Sequence, residues 1–192
     1  MDIDEVLVFD TGPLSHIAKQ GWLGVLKAVV GARTAVIPDV VVDELRVGAT
    51  HDGRIRAVLD APWIQHRELR TEREIVEFAR FAEFLVRGYR NRGEAAVLAL
   101  AVTLGGVAVV DDGAARRAAE NSGIRLRPTL ALLCEAIRIG LLTVPLVAAL
   151  ADDLLASNYR LPFGPGDFEK WAVGVGELVV VAVSSSVMGG GG

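Results

Sequence analysis

Asp10, Glu44, Glu94 and the doublet Asp111 and Asp112 are the side chains of this sequence best placed to do chemistry. VLVF leads to Asp10, VVVD to Glu44, a glycine step to Glu94, and VAVV to the doublet. Carboxylates delivered at the ends of buried elements can converge on a hard divalent cation. Such an ion wants oxygen ligands in octahedral geometry, keeps several waters, and takes only one or two carboxylates directly. Asp10 with one member of the doublet is enough for Mg²⁺ or Mn²⁺. Glu44 and Glu94 then act through water or hold a second ion, an arrangement that stabilises both the attacking and the leaving oxygen in phosphodiester cleavage.

Each acid also has a plainer reading. Two adjacent like charges at a buried strand end raise each other's pKa unless a partner intervenes, so one member of the doublet is expected to face a crevice. Glu94 opens an apolar helix and offsets the positive end of its dipole; a bound cation accounts for it equally well. Glu44 stands at the edge of a helix face claimed by Val40, Val41 and Leu45, which leaves a surface acid as its ordinary alternative. Asp39, after Pro38, reads as a helix cap.

Other chemistries lack their parts. His16, His51 and His66 show no ligand spacing, and Cys134 is the single cysteine, which disfavours zinc and excludes an intrachain disulfide. There is no GxSxG elbow, P-loop lysine or GxGxxG turn. Arginines recur beside the acids: Arg87, Arg90 and Arg92 before Glu94, Arg116 and Arg117 after the doublet, Arg125 and Arg127 around the next strand. Arg92 and Arg116 are the candidates for phosphate contacts.

The elements that must position these groups alternate. A strand at Val6 to Phe9, continuously apolar, suits burial on both faces. Asp10 ends it, and TGP followed by Leu14, Ile17 and Ala18 starts a helix. A strand follows at Thr34 to Ile37, another around Trp63 to His66, and one at Val107 to Val110, with a short strand at Ile124 to Leu126. Between them, Thr71 to Arg87 is amphipathic through Ile75, Phe78, Phe81 and Leu85, with Thr71 and Glu74 as a capping box. Glu94 to Leu104 is apolar nearly all round and should be buried. Helices are also expected at Gly113 to Asn121, Pro128 to Ile139 and Val144 to Ser157. Such alternation implies a parallel sheet covered by helices, whose carboxyl edge gathers the ligand site.

At 192 residues the chain suits one domain with an appendage. It is 52% hydrophobic, with no apolar stretch near the 20 or so residues needed to span a bilayer. A net charge of −4 argues against binding nucleic acid by overall attraction, while leaving room for a local basic track. The acidic start MDIDEV is unlike a secretory signal, so a cytoplasmic location is expected.

VLVFDTGPLSHIA, VIPDVVVDEL, RGEAAVLALA and VAVVDDGAARRAAENSGI, in that order and at those separations, resemble the PIN-domain family, especially its bacterial branch with GEA and DD elements. The resemblance covers about residues 5 to 142. It implies an α/β fold, a three-layer α/β/α sandwich on a central, mainly parallel sheet, here followed by C-terminal helices. It further implies a Mg²⁺- or Mn²⁺-dependent endoribonuclease, often the toxin of a toxin-antitoxin pair, with RNA and an antitoxin protein as partners. Family roles carry over to Asp10, Glu44, Glu94 and Asp112 as metal-site acids, with Asp111 competing for the last position. Thr11 matches the hydroxyl residue after the first acid, whereas Gly12 stands where many members have serine. The Thr71 to Arg92 insertion and the C-terminal helices depart from the shorter toxins and leave a catalytically inactive PIN-like module, binding RNA or protein, as the alternative. The expected division is a PIN-like domain over 1–142, a packed helical extension over 143–172, and a low-charge tail over 173–192. Leu178 to Val183 would form an edge strand or dimer contact, giving a homodimer, before a disordered glycine tail.

Overall fold

The computed structural model describes residues 5–88 and 90–178. Among these, strands β1 (Val6–Phe9), β2 (Thr34–Pro38), β3 (Ile64–Arg67) and β4 (Val107–Val109) form one parallel sheet in the order β3-β2-β1-β4. Leu7, Val8 and Phe9 in β1 are fully buried, as are Val107 to Val109 in β4. This is the cost-free solution for β-branched and aromatic runs with no polar face to offer water. The chain builds outward from β1 to β2 and β3, then returns to place β4 on the other side of β1. The reversal lies between β1 and β4, where an open α/β sheet forms its ligand crevice.

The helices are α1 (Thr11–Lys19), α2 (Leu23–Val30), α3 (Asp39–His51), α4 (Arg56–Leu59), α5 (Glu72–Leu85), α6 (Arg92–Leu104), α7 (Gly113–Asn121), α8 (Thr129–Arg138), α9 (Val144–Ala156) and α10 (Phe168–Gly174). They complete the three-layer α/β/α sandwich. The expected apolar helix is the central one: Ala95 to Ala101 of α6 are buried throughout, packed on β1, β2 and β4 with α5 over them. At its far end a Cβ on Gly106 would stand 2.8 Å from the carbonyl oxygen of Val6, so glycine permits the return into β4. No described helix is long and apolar enough to cross a membrane.

Several local expectations change. The capping box of α5 is present, with Thr71 accepting from the Glu74 N–H and Glu74 reaching back to the Thr71 N–H. Ile75 is 54% exposed, however, because the buried stripe runs through Phe81 and Leu85. Asp39 is the first residue of α3 and makes no capping bond; Pro38 holds the cap position. Ile124 to Leu126 reduces to one bridge between Leu126 and Ala108, too short to extend the sheet. The expectations for Val179 to Val183 and for the glycine tail lie outside the described residues.

Arg125 and Arg127 do not serve the acids at all. Glu5 precedes β1 and is 7% exposed, and it receives Arg127 at 2.9 Å, Arg33 at 3.3 Å and Arg125 at 3.6 Å. Glu135 on α8 joins Arg33 and Arg127 at 3.5 and 3.1 Å. Arg33, itself buried, also donates to the carbonyls of Val29 and Val30 at the end of α2. The network ties α2, α8 and the start of β1 together. Removing one partner from a buried pair strands the other charge. Arg33→Met is therefore expected to lower the unfolding free energy by about 3 kcal/mol in urea denaturation, toward the low end because Arg127 remains. A loss below about 1 kcal/mol would show that the network carries no stability.

Candidate active site

Asp10 enters at the end of β1, where its backbone N–H donates to the Val109 carbonyl at 3.1 Å and so joins the ends of β1 and β4. It caps α1, its Oδ2 accepting from the Gly12 N–H at 3.4 Å. The residue is 7% exposed, and its buried Oδ1 has no hydrogen-bond partner. Burial first, then the charges of Glu94 and Glu44, push the Asp10 pKa up to about 8. Hydrogen bonds from the Thr11 and Gly12 backbone oppose this without overcoming it. A Cβ on Gly12 would stand 3.6 Å from Asp10 Oδ2, so the serine that many family members carry there would reach the carboxylate which here lacks that support.

The other acids arrive on helix starts or close to them. Glu44, one turn into α3, accepts a hydrogen bond from the Thr11 hydroxyl. Gly93 lets α6 come against it, since a Cβ at that position would meet Glu44 Oε2 at 2.7 Å. The turn into α6 runs through Asn91 in the left-handed conformation, φ 63°, with its amide donating to the Leu85 carbonyl at 3.1 Å. Glu94 follows in the first turn, half-buried; burial, Glu44 and Asp112 all raise its pKa. Asp112 caps α7, with Oδ1 accepting from the N–H groups of Ala114 and Ala115 at 2.8 and 2.9 Å. Its Oδ2 enters no hydrogen bond among the described residues.

The doublet is divided. Asp111 Oδ1 accepts from the Thr129 N–H at 3.0 Å, while Oδ2 accepts from the Thr129 hydroxyl at 2.6 Å and from the Tyr159 hydroxyl. Three donors engage both of its oxygens, which leaves Asp112 as the member with an oxygen to spare. The Tyr159 ring packs on His16 with centroids 4.7 Å apart, and His16 Nδ1 lies 3.2 Å from Ser157 Oγ. Thus α1, α8 and the segment after α9 form one wall beside Asp10, whose charge is felt by the Tyr159 hydroxyl. Arg92 lies beside Glu44 in a shallow cavity with Val40, Asp43 and Val47. Arg92 and Arg116 are both exposed.

A family model described as DUF3368, PIN domain, matches residues 6–163. The chain belongs to the PIN-domain family. PIN domains are generally nucleases and typically use divalent metals. The match runs to residue 163, beyond the stretch of clear sequence resemblance, and so takes in α9 and Tyr159. No curated protein matches the chain.

In this PIN domain the charges of Glu94 and Glu44 raise the pKa of Asp10, those of Glu44 and Asp112 raise that of Glu94, and Thr11 turns its hydroxyl to Glu44. Among the described residues, no three His, Cys, Asp or Glu side chains stand close enough to close on one ion. Sequence reasoning missed Thr129 and Tyr159. Neither stands in a motif, and a tyrosine 48 residues beyond its partner leaves no spacing signal.

The raised pKa of Asp10 fixes a sign. A carboxyl group that titrates near 8 when folded and near 3.8 otherwise makes the native state hold an extra proton across that window. Its contribution to stability is therefore fully present below about 4 and is lost as pH rises toward 8. With chelator present, Asp10→Asn is expected to be more stable than wild type at pH 8, by on the order of a few kcal/mol. The difference should shrink toward zero near pH 4 in thermal denaturation. An unchanging difference across that range would contradict the burial of a protonated carboxyl.

Proposed function

We propose that this PIN domain is a metal-dependent endoribonuclease that hydrolyses RNA phosphodiester bonds. One observation carries the reading: Asp10 is buried with an orphaned oxygen and is crowded by Glu94 and Glu44. No Lys, Arg or His forms an ion pair with any of Asp10, Glu44, Glu94 or Asp112 among the described residues. A fold that concentrates like charge without an internal counter-charge suits an external cation.

The donor set fits Mg²⁺ or Mn²⁺ held by Asp10 and Asp112, with water filling the remaining positions. When bound, such an ion lowers the pKa of water and polarises the phosphoryl group. Glu44, oriented by Thr11, and Glu94, at the head of α6, orient the attacking water by accepting its hydrogen bonds. Arg92 and Arg116 contact the phosphate oxygens on either side, and Asp111 with Thr129 and Tyr159 keeps the doublet turned so that Asp112 faces the ion. Within this reading the chain is a candidate toxin with an antitoxin protein as its partner. The absence of a three-ligand cluster among the described residues favours a second reading, a PIN-like module that binds RNA without cutting it.

Cleavage of single-stranded RNA separates the two. Asp10→Asn and Asp112→Asn should each lose roughly 100-fold or more in Mn²⁺-supported cutting, beyond the 10- to 100-fold carried by supporting partners such as Thr11. Asparagine keeps the cap of α7, so loss in Asp112→Asn reports the site and not the helix. Undiminished cutting by either variant, or cutting that survives chelation, would rule the mechanism out.

A further inference from the structure

The C-terminal half of α5 and the exposed side of α7 enclose a groove of about 460 Å³ that the acids do not use. Phe84 is 64% exposed along it, over a floor of Phe81 and Leu85, which are buried. Ala114 and Ala118 form the facing wall, and their small side chains leave a slot opposite the Phe84 ring. The rim carries Arg80, Arg117, Asn121 and Ser122. Arg80 is held in place, its guanidinium 4.8 Å above the Phe81 ring and donating to Ser122 Oγ at 2.8 Å and Glu77 at 3.0 Å. Arg117 is exposed and forms no ion pair among the described residues.

Two further facts tie the groove to the site. It begins where the site ends, for the N–H of Ala114 in its wall donates to Asp112 Oδ1. No carboxylate lines it, in a chain whose net charge is −4. The larger cavity, about 620 Å³ by α3 and β3, is lined by Asp39, Asp43, Glu68 and Glu74, with Arg46, Arg67 and Arg70 already paired to those acids; it offers an anion nothing. An exposed aromatic face flanked by arginines is the chemistry that binds unpaired bases: the ring stacks on any base, and the guanidinium groups meet the phosphates.

We propose that this groove is a subsite for an unpaired nucleotide of single-stranded RNA. Its base stacks on Phe84, the unpaired Arg117 contacts a flanking phosphate, and the strand runs along α7 to the acids at Asp112. The proposal deepens the nuclease reading and rests on it for the identity of the strand. Charge favours RNA over a protein helix, because an apolar peptide gains nothing from the unpaired Arg117 beside a groove lined by no carboxylate.

The test is fluorescence binding of a 12-nucleotide single-stranded RNA, and of the same sequence as a duplex, to the full chain carrying Asp10→Asn. Phe84 is exposed, so its substitution leaves the core intact. Adding Phe84→Ala should weaken the single strand roughly 5- to 150-fold and leave the duplex unchanged. Phe84→Trp should retain binding, with the added indole quenched by the oligonucleotide. Arg117→Gln should reduce the slope of log K against log salt by about 0.7. Equal affinity with and without Phe84, no binding of the single strand, or quenching by a neutral amphipathic peptide but not by RNA, would overturn the subsite. If RNA binds through Phe84 yet the wild type cuts nothing with Mn²⁺, the subsite stands and the nuclease reading falls. If the wild type cuts and Phe84→Ala changes neither binding nor KM, the reverse holds.

Discussion

Like charge held together against its own repulsion is the constraint around which this PIN domain is built. Glu44 raises the cost of ionising both Asp10 and Glu94, Glu94 adds to that of Asp10, and Asp10 is buried to the point of holding its proton near neutral pH. The backbone offsets part of that cost. Asp10 and Asp112 cap α1 and α7, and Glu94 sits in the first turn of α6, so each acid meets the positive end of a helix dipole. The starts of α1 and α7 lie side by side because they follow β1 and β4, neighbours in the sheet where the strand order reverses.

The rest of the chain keeps this arrangement rigid. Beside the acids, Thr129 and Tyr159 saturate Asp111 and bring α8 and the segment after α9 against the crevice. The Trp22 indole donates to Asp153 at 2.8 Å, and Val147, Leu150, Ala151 and Leu154 bury one side of α9 in the common core. At the start of β1, the arginines around Glu5 lock α2 and α8 to the sheet. The C-terminal helices thus contribute to the geometry of the site through Tyr159.

Local order was legible in the sequence wherever one residue's neighbours decide its state. VLVF followed by D-T-G-P marks a buried strand ending in a turn, and the all-round apolarity of residues 95–101 marks a helix with no solvent face. Partners far apart in sequence were not legible. Thr11 and Glu44 are 33 residues apart, and nothing in their spacing announces a hydrogen bond. Which aspartate of the doublet keeps an oxygen free depends on the direction in which the chain leaves β4, and Thr129 and Tyr159 engage both oxygens of Asp111. Arg125 and Arg127 flank the segment that follows the doublet and α7, yet a long arginine can reach either way, and theirs reach Glu5. Ile75 shows the same limit within a helix, because periodicity marks an apolar stripe without saying how wide a neighbour will cover it.

The central claim is that these carboxylates form one site whose counter-charge comes from outside the chain, with Asp10 giving up its proton when a cation arrives. Calorimetric titration of Mn²⁺ at pH 7, in buffers of differing ionisation heat, measures binding and proton release together. Saturable binding with close to one proton released per ion, both lost in Asp10→Asn, is the predicted result. Equal binding by wild type and Asp10→Asn, or binding with no proton released, would contradict it.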